Sequence, residues 1–159
     1  MKMRENDIVE RTRKEYPAGC RIVLDWMEDP QAPGPGTQGT VLAVDDTGSV
    51  CPAWDSGGRL NVILGVDGCH KIRTEDEAKT TLDWYGKRQK KENTRCPRCG
   101  SHMEGKTAGH ALSRWAEIMV CDMCGTFEAM EAAGLMERIP LTQWAAVKEP
   151  QEGGGPWEG

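Results

Sequence analysis

The residues best equipped for chemistry are four cysteines in two pairs, Cys96-Pro97-Arg98-Cys99-Gly100 and Cys121-Asp122-Met123-Cys124-Gly125, with twenty-one residues between Cys99 and Cys121. Two residues between cysteines let a tight turn aim both sulfurs at one point. The glycine after each second cysteine frees the backbone to bend away. The intervening segment is long enough for a hairpin that carries the second pair over the first. Four thiolates fill a tetrahedral shell and leave no position for water or substrate, so the expected cofactor is a structural Zn²⁺ on Cys96, Cys99, Cys121 and Cys124. An iron centre in the same four sulfurs is the rarer alternative. A redox dithiol needs only one pair, after a strand of a βαβ unit, and that context is absent. Disulfides need an oxidising compartment, and the opening residues MKMRENDIVERTRKEY carry no apolar signal core.

The elements that position such a site must be small. The chain has 159 residues, of which 38% are hydrophobic and 6% aromatic, which favours two small units over one large core. Small units bury a modest share of their surface, and a metal is a usual compensation. No apolar run approaches a membrane span, so no membrane partner is expected. Seven cysteines without a signal point to a reducing cytoplasm.

The net charge of −5 is unevenly spread. Residues 1–73 carry 9 basic and 11 acidic groups, residues 74–95 carry 6 and 5, and residues 96–159 carry 5 and 9. An acidic chain is a poor generic binder of nucleic acid, where phosphate neutralisation dominates affinity. A local basic contact remains compatible with that total.

Read in order, the pattern predicts an α+β protein. A short N-terminal helix covers residues 1–15 (the helical pattern itself spans 3–16), capped by Asn6 or Asp7, with a thin stripe of Ile8, Val9 and Thr12. Residues 16–73 then alternate with period two. Cys20, Ile22, Leu24 and Trp26 face one way, Gly39–Val44 forms a second strand, and Val50 to Trp54 a third. Leu60, Val62 and Leu64 form a fourth and His70–Arg73 a fifth. Five short strands with tight turns suggest a small closed SH3-like β-barrel. Pro52 places its strand at an edge or bulge. The aspartates at 45, 46, 55 and 67 fall in turns and are expected to bond the local backbone. Gly34-Pro35-Gly36-Thr37-Gln38-Gly39 spells GxGxxG, but prolines precede it and a strand follows, so it reads as a loop.

A charged linker helix is expected over 74–95, opened by the capping box Thr74-Glu75-Asp76-Glu77, with Ala78, Leu82 and Tyr85 on one face. Its end is basic: Lys87, Arg88, Lys90, Lys91, then Arg95 and Arg98 at the first cysteine pair. A zinc ribbon follows over 96–147, with a strand at Glu117–Val120 and a helix capped by Thr126 and stopped by Gly134. His102 and His110 are surplus to four cysteines. Residues 148–159 read as a disordered tail, with Trp157 an isolated aromatic.

Two resemblances add to this reading. Residues 16–73 resemble a small bacterial and phage domain family of unknown function, DUF4314. The carrying residues are Tyr16-Pro17-Ala18-Gly19, Met27 to Pro33, Gly36 to Val41, Val44-Asp45-Asp46, Trp54-Asp55 and Gly65-Val66-Asp67. The resemblance implies an SH3-like barrel and a phage or mobile-element setting in Gram-positive bacteria, and no activity. Members of that family often have apolar or basic residues where this chain has Cys51, Cys69 and His70, so a second metal ring of those three with Cys20 is not expected. The remainder is similar to phage-associated ribbons that run CPxCG, ALSR (Ala111 to Arg114), CxxCG, a helix rich in Glu and Ala, then Pro140-Leu141 and Trp144. It implies the ribbon fold.

No Ser/His/Asp elbow, catalytic carboxylate pair or phosphate loop is present, so an enzyme is not expected. The leading expectation is a non-enzymatic phage or mobile-element protein in the bacterial host cytoplasm. It would bind a macromolecular partner, such as a host nuclease or ribonucleoprotein, and inhibit a defence nuclease in the manner of an anti-CRISPR protein. The alternative is a zinc-ribbon accessory factor that binds nucleic acid through Lys87, Arg88, Lys90, Lys91, Arg95, Arg98 and Trp115. A third expectation is a nucleotide or other small molecule at the mouth of the barrel near Pro33–Gly39.

Overall fold

The computed structural model describes residues 4–151. The chain divides into two compact units, one through Ile72 and the other from Arg73.

The first unit opens with α1 (Glu5–Glu15). Its N-cap is Arg4, whose side chain makes no cap bond, so the expected caps Asn6 and Asp7 lie inside the first turn instead. There Glu5 and Asp7 suit the positive end of the helix dipole. Val9 and Thr12 are buried while Ile8 is exposed, which narrows the stripe further. Arg13 ties the helix to the sheet, donating from Nε to the Val44 carbonyl at 3.2 Å and pairing with Asp46 at 3.0 Å.

Four strands follow: β1 (Arg21–Trp26), β2 (Gln38–Val44), β3 (Val50–Trp54) and β4 (Gly68–Lys71). They form one antiparallel sheet in the order β3-β2-β1-β4. The expected closed barrel does not form among the described residues, and the expected strand Leu60–Leu64 contributes only two isolated bridges, Val62 to Val50 and Leu64 to Asp67. The reason is local. The Asp67 carboxylate accepts from the Ile63 N–H at 3.0 Å, and the Asp67 N–H donates back to the Ile63 carbonyl at 2.7 Å. These bonds wind the chain into a turn immediately after Val62, so the ladder cannot lengthen. Pro52 lies on the edge strand β3, as a residue without an N–H must.

The core gathers Tyr16, Cys20, Ile22, Leu24, Val41, Val44, Val50, Trp54 and Val62. The period-two reading of β1 holds through Leu24 and then fails. The register shifts between Leu24 and Trp26, an irregularity of the bulge type that breaks the alternation of faces. Trp26 is consequently exposed, and its indole N–H donates to the Val66 carbonyl at 2.9 Å. The opposite face of β1 is also buried, and it holds Arg21. Arg21 grips Asp55 with two bonds of 2.7 and 2.5 Å and reaches Thr40 and Gln38 at 3.1 Å each. Asp55 is thus one half of a long-range ion pair, and Asp46 pairs with Arg13, whereas Asp45 and Asp67 do bond local backbone.

The second unit begins with α2 (Glu75–Gly86), where Thr74 accepts from the Glu77 N–H at 3.3 Å. Ala78, Leu82 and Tyr85 are buried together on one face. The helix expected over 74–95 ends at Gly86, and Glu92–Arg95 is a strand, β5, paired with β6 (His102–Lys106). Nor is α2 a free linker. Glu75 accepts from the Leu141 N–H at 2.9 Å and Asp83 from the Glu117 N–H at 2.8 Å. Gly86 shows how close the packing is: a Cβ there would sit 1.9 Å from the Glu117 carbonyl oxygen. Gly86→Ala is therefore expected to cost about 1–3 kcal/mol through forced backbone movement. A urea titration of the variant with an unchanged midpoint would contradict the contact.

A second ribbon pairs β7 (Ala111–Leu112) with β8 (Met119–Val120), and α3 (Asp122–Ala132) follows directly. Its N-cap is Cys121 and not the expected Thr126, which lies inside the helix and bonds the Asp122 carbonyl. Gly134, at φ +77°, ends this segment as expected. Lys148 closes a last short helix, α4 (Ala145–Lys148), and Gln151 is fully buried, so the expected disordered tail does not begin at residue 148. The rest of that stretch, with Trp157, lies outside the described residues. No described helix is long and apolar enough to cross a membrane.

Candidate metal centre

Cys96, Cys99, Cys121 and Cys124 bring their sulfurs within 4.8 Å of one another, the one such ligand group among the described residues. Cys99 Sγ and Cys121 Sγ stand 3.8 Å apart. A tetrahedral shell with metal–sulfur bonds of about 2.3 Å has sulfur–sulfur edges of about 3.8 Å. The four side chains thus fit a metal ion with a closed thiolate shell.

Each pair is held by its own local structure. Cys96 and Cys99 lie beyond β5 in a turn where the Gly100 N–H reaches the Cys96 carbonyl at 2.8 Å, and the Cys96 N–H reaches Ser101 at 2.7 Å. Gly100 has φ +81°, the bend the sequence required. Gly125 serves differently: it is helical, and a Cβ there would lie 2.5 Å from the Ala111 Cβ. Backbone N–H groups also point at sulfur, from Cys121 to Cys96 at 3.3 Å and from Cys124 to Cys121 at 3.4 Å. The hydrogen bond from the Cys124 thiol, with the Cys121 amide, pulls the Cys96 thiol well below its ordinary range. Cys124 is pushed up in turn, by holding that proton and by burial. A metal ion would displace the protons that the four thiols retain.

Behind the sulfurs lies a buried polar network that joins the motifs. Arg98, between the first two cysteines, is buried and donates to both oxygens of Glu131 at 2.8 and 3.1 Å, with Glu128 at 3.7 Å. Glu128 accepts from Ser113 Oγ at 3.0 Å and from the Arg114 N–H at 2.6 Å. Glu131 also accepts from the Ile139 N–H at 2.7 Å and the Trp115 indole at 3.4 Å. The backbone carbonyls of Pro97 and Arg98 take the N–H groups of Ala146 and Ala145 at 2.9 and 3.2 Å, beside the buried Trp144. The ALSR segment, the glutamate-rich helix and the Pro-Leu…Trp segment are therefore parts of one scaffold around the cysteines. Glu128, Glu131 and Ser113 escaped the sequence reading. The available signal was two glutamates three apart on a helix, hence on one face, with a single arginine inside the first knuckle.

The same network holds two residues expected to contact nucleic acid or a partner: Arg98 is buried against Glu131, and the Trp115 indole is engaged with Glu131, with the Arg138 guanidinium 4.5 Å from its ring centre. Lys87, Arg88, Lys90, Lys91 and Arg95 are exposed. The Arg88 guanidinium stacks 3.9 Å from the centre of the Trp84 ring. His102 is exposed on β6, and His110 meets the Glu104 carbonyl at 2.7 Å, so neither joins the sulfur group.

Cys20, Cys51, Cys69 and His70 form no metal-binding group among the described residues. Burial pushes the Cys20 and Cys69 thiols up to about 11, which keeps them protonated at neutral pH. His70 Nδ1 lies 2.7 Å from Asp25.

The two units and the cysteine centre stand beside one family comparison. Residues 5–72 match the model of a domain of unknown function, DUF4314. The match takes in α1, which the resemblance left out, and ends where the first unit ends. The chain matches no curated protein.

Proposed function

We propose that this is a non-enzymatic interaction protein whose first unit docks on a partner protein and whose second unit is held by a structural Zn²⁺. The observation that carries the reading is an apolar patch on the first unit. Trp26, Ile63 and Val66 are 54%, 51% and 57% exposed, and Leu64 lies between them. The patch is a built surface. The Trp26 indole bonds Val66, and the Asp67 carboxylate fixes the turn from Ile63. Large apolar side chains held in water by such bonding favour a macromolecular contact. Asp25, Glu28 and Asp29 lie within three residues of Trp26 in the chain, and acidic groups beside the patch would suit a basic partner surface. A nuclease presents such a surface where it grips its substrate. Inhibition of a host defence nuclease in a phage or mobile-element setting, in the bacterial cytoplasm, is the specific form of the proposal. The bent sheet with its Val50–Val62 bridge is read as an SH3-like unit.

The test is reversal of the patch. Tagged wild-type protein and an Ile63→Asp/Val66→Asp variant are captured from the host, each with and without nuclease treatment. A protein partner at near-equal amount that survives nuclease and is lost with the variant is the expected result. Identical recovery by the variant, or partners that vanish with nuclease, would remove the reading.

A further inference from the structure

We propose that a groove in the second unit, between the end of α2 and the β5–β6 hairpin, binds nucleotide phosphates. The groove has a volume of about 510 Å³ and is bordered by Lys90, Lys91 and Lys106, with Met119, Ala108 and Gly86 among its walls. That volume falls in the range of small-molecule sites, about 300–1,000 Å³. It goes beyond the proposed docking role and uses none of the residues of the apolar patch.

The cations are placed by the scaffold. Thr107 clasps the lysine segment from across the groove, its hydroxyl donating to the Lys90 carbonyl at 2.6 Å and its N–H to the Lys91 carbonyl at 2.7 Å. Lys106, next in the chain to Thr107, pairs with Glu92 across the β5–β6 hairpin and borders the same groove as Lys91. The wall at Met119 is equally fixed. The Gln89 side chain donates to the Met119 carbonyl at 2.8 Å and accepts from the Met119 N–H at 2.9 Å. Leu112 pairs directly with Met119 across the β7–β8 ribbon, so both side chains leave the same face.

Chemistry selects the ligand. The Lys91 and Lys106 ammonium groups are point charges suited to phosphate oxygens. The Met119 thioether and the Ala108 methyl, both on the groove wall, offer a soft apolar surface to the flat face of a base. Glu92 is the one acid on the border. The chain as a whole is acidic, with net charge −5, so a basic groove is a local feature and not a general stickiness. A nucleotide combines both demands, whether free or as part of a single strand.

Two probes separate those sources: ATP, and a short fluorescein-labelled oligothymidylate, each titrated at low salt against the full chain. Binding of ATP alone assigns a free nucleotide, and binding of the oligonucleotide a strand. Either is expected to weaken at least tenfold in Lys91→Glu/Lys106→Glu and to be unchanged in Lys148→Glu, whose exposed lysine lies in α4. The wild-type protein gives a second reading that needs no variant. For the oligonucleotide, the logarithm of affinity should fall with the logarithm of salt at about 0.7 per phosphate, or about 1.4 for the two lysines. For ATP, affinity should likewise fall as salt rises. No binding of either probe at about 1 mM, unchanged binding by the double variant, or affinity independent of salt would overturn the proposal.

Discussion

Removing the metal is expected to unfold the second unit and leave the first one folded. The four sulfurs join the segments around β5, β8 and α3, and the buried network behind them is assembled on the same turns. Structural zinc contributes roughly 10–16 kcal/mol of apparent binding free energy in small peptides. That matches or exceeds the whole stability of an ordinary domain, about 5–15 kcal/mol. Cys99→Ser should act like a chelator, since the Cys99 side chain is exposed and meets the other sulfurs. Amide hydrogen exchange with and without chelator is the measurement, because it reads each unit separately. Protection should vanish across residues 92–148 and persist at Ile22, Leu24, Val41 and Val50 in the first sheet. Retained protection in the second unit, with the metal shown to be gone, would refute the structural role.

The second large effect is expected from Arg98→Met. Arg98 neutralises Glu131 in a buried setting, and its removal strands a carboxylate away from water. Breaking a buried pair from one side typically costs about 3–5 kcal/mol. The pH dependence separates this cause from lost packing. Burial alone would raise the Glu131 carboxyl, but Arg98, with the Ile139 N–H and Trp115, holds it below the ordinary range. A carboxyl lowered by folding contributes its stability above the unfolded pKa, about 4.3, and that contribution is lost as pH falls through the folded value. Without Arg98 the sign reverses: burial dominates, the carboxyl rises, and protonation relieves the penalty. The variant's deficit in urea, with metal in excess, should therefore shrink between pH 7 and pH 5.5. A deficit below about 1 kcal/mol, or one independent of pH, would show that the pair matters little.

Much of this was legible in the residues. The two CxxC pairs pointed to the four-sulfur cluster because their spacing lets both turns aim at one point. Thr74, with Ala78, Leu82 and Tyr85, named α2 because capping and periodicity are local. What failed was decided by long-range bonds. Arg98 looked like one of a run of basic residues, and only the arrival of α3 places Glu131 against it. Asp55 looked like a turn residue until β1 brought Arg21 beside it. Trp26 continued an alternation that the bulge at Asp25 interrupts, and Leu60–Leu64 had the pattern of a strand but was captured by the Asp67 turn. Pattern reports which faces are apolar. It does not report which polar group a distant element will supply.

Gln89 has one more effect. Its amide occupies the N–H and C=O of Met119 as a neighbouring strand would, with both bonds made by one side chain. A two-stranded ribbon in water ordinarily offers its outer edge to any extended chain that passes, and Leu112 beside it would reward such an approach. Here the ladder is terminated by a group that cannot propagate it. The second unit can keep an exposed aliphatic surface next to a short ribbon without seeding fibrous self-association at that edge, and whatever meets this face must be recognised by side chains and not by backbone pairing.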